Sequence, residues 1–138
     1  MTAMSRLTIA ALFICLATTA TGAERWIALP DQPDSIASLD ASSIQRMPSG
    51  PVSAWVRVEA SNREGMRSLQ RMFGAFRGDM ADFLYTVDCR SHQFSVSRAK
   101  LYLGAMTVAE KQLANDAAWH RVDGVGLAGA VARQLCTG

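Results

Sequence analysis

A glycine-rich segment near the C-terminal end has residue types that can bind a dinucleotide. Gly124, Gly126 and Gly129 follow the spacing G-x-G-x-x-G, in which glycines let the backbone approach a pyrophosphate closely. Such a site also needs a second parallel strand and an acidic residue about 20 positions further on. Only nine residues follow Gly129, so we assign these glycines to a turn and to close packing of a helix on a sheet.

The two histidines, His92 and His120, are residue types that ligate metal ions and haem iron. They show no HxH or HExxH spacing, so we interpret both as exposed or locally hydrogen-bonded, with haem ligation as the alternative. No serine lies in a GxSxG turn, and the 12 acidic residues are scattered rather than paired. The sequence therefore predicts no catalytic residues, no metal, no cofactor and no enzymatic activity.

A stripe of arginines has the clearest surface chemistry. Arg63, Arg67 and Arg71 recur at intervals of four in a segment whose apolar residues predict an amphipathic helix. Its buried side is predicted to carry Met66, Leu69, Met72, Phe73 and Phe76. With Arg57 and Arg77 included, five arginines outnumber two glutamates over 21 residues. Because arginine pairs bidentately with such anions, the stripe could bind sulfated glycans or an anionic membrane; the alternative is a merely solvated face.

The first 23 residues have the pattern of a secretory signal peptide. Arg6 gives a short positive region, residues 7–17 are uncharged and apolar, and small residues lead to Ala23. We expect cleavage after Ala23, which leaves residues 24–138 as a single domain. Cleavage after Ala20 is the alternative. The apolar run is shorter than the roughly 20 residues that span a bilayer, so no transmembrane segment is predicted in the mature chain.

The distribution of the three cysteines predicts one disulfide. Cys15 lies in the predicted signal peptide. We predict no lipid anchor at Cys15, because lipid attachment needs a small residue just before the cysteine and Ile14 is bulky. The exported chain keeps Cys89 and Cys136, and an even pair in an oxidising compartment is most simply a disulfide.

The periodicity of the remaining chain predicts the sheet that positions these residues. Alternating apolar residues between proline and glycine turns predict strands at 25–29, 35–40, 44–47, 52–60, 82–90, 93–103, 106–111 and 119–122. Phe94, Val96 and Tyr102 are predicted to share one apolar face. Helices are predicted at 61–76 and 126–136. The predicted fold class is α+β, mainly β: an antiparallel sheet with a C-terminal helix tethered by the disulfide, plus an amphipathic helix near 63–76.

Motifs spread over the exported chain have a characteristic order and spacing. They are Trp26, the D-x-x-S-I element at 40–44, the strand 52–57, the segment 85–89, Tyr102 with Gly104, Trp119 and a terminal helix ending at Cys136. Together they resemble the surface-adhesin protein E-like domain family of Gram-negative bacteria. The resemblance implies a small exported protein with an antiparallel sheet and a C-terminal helix tied to it by a disulfide. The founding member is a surface adhesin that binds host matrix and serum proteins such as laminin and vitronectin, and haem binding has been attributed to it. The segment 61–76 departs from the family pattern, and no residue matches a family ligand-binding residue.

The predicted function is that of an exported binding or interaction module, in the periplasm or on the outer cell surface. Its partner is predicted to be a host matrix component or an envelope protein, with Arg63, Arg67 and Arg71 as the candidate partner surface. The net charge of +2 without a basic tract argues against nucleic acid, and an unpaired sheet edge permits a homodimer. The alternatives are a periplasmic accessory or stress protein with no adhesive role, and a haem- or small-ligand-binding module.

Overall fold

The computed structural model describes residues 24–74, 78–113 and 118–137, so the predicted signal peptide, Phe76 and Arg77 lie outside the described residues. The described strands are β1 (Trp26–Ala28), β2 (Ser35–Asp40), β3 (Gln45–Arg46), β4 (Val52–Ala60), β5 (Met80–Asp88), β6 (Gln93–Leu103), β7 (Met106–Gln112) and β8 (His120–Arg121). The α-helices are α1 (Arg63–Phe73) and α2 (Gly126–Cys136), and a short 3-10 helix spans Ala41–Ser43. The predicted strands are therefore confirmed, with ends displaced by two residues at most.

The strands form one antiparallel sheet in the order β1-β2-β4-β5-β6-β7. β3 pairs with β4, and β8 pairs with β6. A tight turn joins β5 to β6, where the carboxylate of Asp88 accepts hydrogen bonds from the backbone N–H groups of Arg90 and Ser91. The predicted fold class, mainly β with an antiparallel sheet and a C-terminal helix, is confirmed.

Both helices pack on the same face of the sheet, which we call the covered face. The register places Val56, Phe83 and Ala99 side by side on β4, β5 and β6. Phe73 of α1 stacks on Phe83 with ring centroids 5.8 Å apart. Leu135 of α2 joins the same buried cluster. Burial of these apolar side chains supplies the main driving force for folding.

A disulfide joins Cys89, just after β5, to Cys136 at the end of α2, with the Cα atoms 5.7 Å apart. The predicted pairing is confirmed. Because Val131 and Leu135 of α2 are fully buried, the disulfide secures a helix that also packs through its own apolar side. Within the described residues, no helix is long and apolar enough to cross a membrane.

A β-bulge in β6 reverses the alternation of side chains along that strand. Val96 pairs with Tyr85, and the register then shifts because Ser97 is an extra residue. Phe94 and Val96 consequently pack against the core, whereas Tyr102 lies on the opposite face. The prediction that Tyr102 shares a face with them is wrong, because a period of two does not register an inserted residue.

Fewer residues of helix α1 are buried than its sequence pattern predicts. Gly65, Leu69 and Phe73, spaced by four, are buried. Met66 is 37% exposed and Met72 is 58% exposed, so their predicted place on the buried side is wrong. The helix contacts the core along one row of side chains, and the flanking methionines therefore lie at the edges of the contact.

The glycines of the G-x-G-x-x-G segment form the turn into α2. Gly126 has a φ of 83°, a conformation that glycine adopts without strain. A Cβ at Gly129 would lie 2.8 Å from the carbonyl oxygen of Asp123, in the loop before the helix. The close packing at Gly129 is therefore between the helix and its own preceding loop, and not between helix and sheet as predicted.

Candidate functional site

The face of the sheet opposite to the helices is covered by no described element and places aromatic rings beside cations. We call this set the aromatic–cation surface; its members are Trp26, Trp55, Arg57, Asp82, Arg98, Lys100 and Tyr102. They come from β1, β4, β5 and β6, and each alternates with a residue of the covered face. Paired strands of a rigid sheet thus set the spacing of these side chains.

Asp82 is the polar centre of the surface and is only 4% exposed. Directly across from it, Arg57 donates from Nε to Asp82 Oδ1 at 2.8 Å and from Nη2 to Oδ2 at 2.9 Å. The hydroxyl of Tyr102 also donates to Oδ2, at 2.7 Å. A buried carboxylate with three such hydrogen bonds is well satisfied, so the cluster is a fixed part of the fold.

The guanidinium of Arg57 lies between two aromatic rings. Its Cζ atom is 4.1 Å from the ring centroid of Trp26 and 5.1 Å from that of Tyr102. Ser38 of β2 pairs with Arg57, and its small side chain leaves room for Trp26 to reach across from β1. Contacts of this kind contribute about 0.5–2 kcal/mol each, depending on exposure.

Arg57 and Tyr102 keep their protons near neutral pH. The hydrogen bond with Asp82 raises the pKa of Arg57 further above its high ordinary value, although burial opposes this. Burial and the hydrogen bond with Asp82 raise the pKa of Tyr102. Neither proton can be released near pH 7, so these side chains are suited to holding a shape and a charge pattern rather than to transferring protons.

Trp55 forms the second half of the surface. The Nζ atom of Lys100 lies 4.2 Å from the Trp55 ring centroid, and Cζ of Arg98 lies 5.7 Å from it. Arg98 also forms an ion pair with Glu110 on β7. Lys100 forms no ion pair with any described residue, and its charge is therefore available to an anionic group of a partner.

The arginine stripe lies on the exposed side of α1, away from the aromatic–cation surface. Glu64 accepts a hydrogen bond from Arg71 at 2.9 Å and lies 3.5 Å from Arg67. The hydrogen bond from Arg71 lowers the pKa of Glu64, which therefore stays ionised at neutral pH. One carboxylate thus offsets part of the charge of Arg67 and Arg71, whereas Arg63 forms no ion pair within the described chain.

The start of α1 is fixed by a polar cap and a close backbone contact. The side chain of Asn62 accepts a hydrogen bond from the N–H of Gly65 and donates one to Asp34. A Cβ at Gly65 would lie 2.1 Å from the carbonyl oxygen of Asp34, so only glycine fits there. These contacts hold the first turn of the helix, with Arg63, against the loop before β2.

Including Arg57 in the stripe is a wrong prediction, since Arg57 lies on the opposite face of the molecule in an ion pair with Asp82. Sequence reasoning missed the aromatic–cation surface as a unit. The signal for part of it was present, because Trp55 and Arg57 alternate with the buried Ala54 and Val56 on β4. The bulge at Ser97 concealed the rest, since it decides which face Tyr102 occupies.

The histidines take no part in a shared site. His92 follows β5 in a turn with a φ of 53°, and the ring of His120 lies 5.6 Å from that of Phe94. Among the described residues, no group of three or more His, Cys, Asp or Glu side chains could hold a metal ion.

The fold and this surface together define a small, disulfide-linked, mainly β protein with one uncovered sheet face. The chain matches no model of a protein family, no curated protein and no solved structure. The resemblance to the protein E-like family therefore stays a prediction from the sequence motifs.

Proposed function

We propose that this chain is an exported, non-enzymatic binding module that recognises a protein partner through the aromatic–cation surface. The observation that carries the proposal is the uncovered pairing of Trp55 with Lys100, beside the rigid Arg57–Asp82–Tyr102 cluster. Tryptophan, tyrosine and arginine are the residues that most often dominate binding energy at protein interfaces.

The predicted signal peptide and the Cys89–Cys136 disulfide support export, because structural disulfides persist in oxidising compartments. The resemblance to the protein E-like family supports a host matrix protein as the partner. An envelope protein is the alternative partner, and the location of the chain distinguishes the two.

Recognition would use the two halves of the surface differently. An apolar side chain of the partner packs on Trp55, and a neighbouring carboxylate pairs with Lys100. Lys100 lies opposite Asp82 and Glu110 in the strand register but forms no ion pair with any described residue. The Arg57–Asp82 pair is already satisfied internally, so it contributes shape and pre-organisation rather than new hydrogen bonds.

The binding test uses laminin and vitronectin immobilised on a sensor, with protein purified from cells that express the full-length sequence. We expect Trp55→Ala to weaken binding at least tenfold, because truncation of a central tryptophan typically costs about 2 kcal/mol or more. Trp119→Ala is the matched control, since Trp119 is a 46% exposed tryptophan outside the surface. Loss of binding on Arg63→Glu, Arg67→Glu and Arg71→Glu together, with Trp55→Ala unaffected, would instead place recognition on the arginine stripe.

Location is tested by protease treatment of intact cells beside osmotic-shock release, followed by immunoblotting. Cleavage on intact cells supports a host partner. Protection on intact cells with release by osmotic shock would contradict the adhesin role, and a periplasmic accessory role with an envelope partner would replace it.

A further inference from the structure

A half-open apolar cavity lies on the covered face, away from the aromatic–cation surface. It has a volume of about 400 Å³ and lies where β4, β5, α1 and the start of α2 meet. Its apolar lining includes Val58, Leu69, Met72, Phe83 and Leu127. Met72 is largely exposed, so it lies at the opening rather than in the core.

The cavity has the size of a binding site for a small molecule. Ligand pockets in proteins measure about 300–1,000 Å³. A cavity of about 150 Å³ with apolar walls holds one benzene ring, so this one would accommodate up to about 15 non-hydrogen atoms. A ligand of that size corresponds to a medium-length alkyl chain or to two fused or linked rings.

Tyr85 gives the cavity one unpartnered polar group. Its side chain lines the cavity, only 9% of the residue is exposed, and its hydroxyl makes no hydrogen bond to any described residue. Burial raises the pKa of Tyr85 to about 12, so the hydroxyl stays protonated and can both donate and accept. The hydroxyl oxygen is reached from the cavity rather than enclosed by protein, so a ligand atom there can form a hydrogen bond with it in place of water.

The charges of the residues that line the cavity also limit which ligands can bind. The described residues that line the cavity include no lysine or arginine, and they include the carboxylate of Asp34. That carboxylate already accepts a hydrogen bond from Asn62. An anionic head group would be desolvated near the carboxylate of Asp34. A neighbouring cation, Arg71, donates to the lining residue Ser68 at 2.9 Å but is already paired with Glu64, so a carboxylate ligand is disfavoured.

We infer that this cavity binds a small, uncharged and mainly apolar molecule whose single hydroxyl or amide group meets the hydroxyl of Tyr85. The site lies on the opposite side of the sheet from the surface of the proposed function and does not rest on it. A variant that fills the cavity leaves Trp55 and Lys100 in place, so failure of one proposal is distinguishable from failure of the other.

The test uses 1-naphthylamine, a two-ring probe that is uncharged at neutral pH and whose fluorescence shifts to shorter wavelength in apolar sites, with protein purified from cells that express the full-length sequence. We expect saturable binding of one probe per chain. We further expect 1-octanol to displace the probe at a concentration at least tenfold lower than octanoate, which has the same chain length and a negative charge. No saturable binding, or equal displacement by octanoate, would overturn the inference.

Two variants with a matched control locate the binding. Val58→Phe fills the cavity and should abolish probe binding, whereas Val108→Phe makes the same change at an exposed position of β7 outside the cavity and should leave it intact. Tyr85→Phe removes only the hydroxyl, and we expect octanol to compete about tenfold more weakly, the effect of one lost hydrogen bond. Wild-type binding by Val58→Phe with normal circular dichroism, or unchanged octanol competition in Tyr85→Phe, would contradict the assignment.

Discussion

The two faces of the sheet are built from alternate residues of the same strands, yet they differ in chemistry and in what covers them. On β4, Val56 is fully buried beneath the helices, while its neighbours Trp55 and Arg57 lie on the opposite face. On β5, Phe83 stacks with α1, while Asp82 holds a polar cluster on the other side. The covered face is packed with aliphatic and aromatic side chains, and the open face combines rings with charges.

Under the proposed function, this difference separates stability from recognition within one sheet. Apolar burial and the disulfide act on the covered face, so that side chains there are constrained by their fit to the helices. The open face needs only enough internal pairing to hold its shape, which the Arg57–Asp82–Tyr102 cluster provides. Substitutions on the two faces should therefore affect different measurements.

The largest effect on the covered face is expected from loss of the disulfide. Replacing Cys89 and Cys136 with serine opens a loop of 47 positions, for which the chain-entropy relation gives about 4 kcal/mol of lost stability. Urea unfolding followed by circular dichroism measures this loss. An unchanged midpoint would show that α2 is held by Val131 and Leu135 alone.

Neighbouring residues on β6 sharpen the comparison, because they point to opposite faces. Leu101→Ala removes a side chain that is 2% exposed on the covered face and should cost about 3 kcal/mol, within the range of about 2–5 for such truncations. Lys100→Ala, one residue earlier on the open face, should change stability by less than about 0.5 kcal/mol. Urea unfolding of both variants checks the contrast, and similar losses in both would mean that the open face also carries the fold.

Much of the fold could be predicted because its signals are local. The alternation along 52–60 and 93–103 and the proline and glycine turns define strands without knowledge of their partners. The number of cysteines predicted the disulfide without knowledge of the fold, since a single pair of cysteines leaves one possible connection. Each strand signal lies within one segment of the chain, and the disulfide, although it joins residues 47 positions apart, follows from the number of cysteines alone.

The candidate site could not be predicted as a unit because it depends on pairing between strands. Trp26 pairs with Asp40, and Arg57 pairs with Ser38. The side chains of Trp26 and Arg57 therefore meet diagonally across β2, and no pattern within one segment records that contact. The extra residue Ser97 decides the side on which Tyr102 lies. Gly65 illustrates the same limit: its helix propensity suggests a weak point, whereas the carbonyl of Asp34 excludes any side chain there.

The two faces can also be compared by the pH at which the two tyrosines of the chain ionise. Tyr85 lies on the covered face, and Tyr102 lies on the open face. Burial raises the pKa of Tyr85 to about 12, and burial together with Asp82 raises that of Tyr102. A pKa that is raised on folding stabilises the protein fully below the unfolded value, about 10 for tyrosine, and this stability is lost as the pH rises through the folded pKa. For Tyr85 the loss between pH 10 and 12 is on the order of 2 kcal/mol.

Absorbance at 295 nm should show a single late transition near pH 12 in Tyr102→Phe, and an earlier one, still above pH 10, in Tyr85→Phe. If Tyr85 ionised at pH 10 in a chain that circular dichroism shows to be folded, solvent would reach its hydroxyl freely, and the contrast between a covered face that restricts solvent and an accessible open face would not hold at this position.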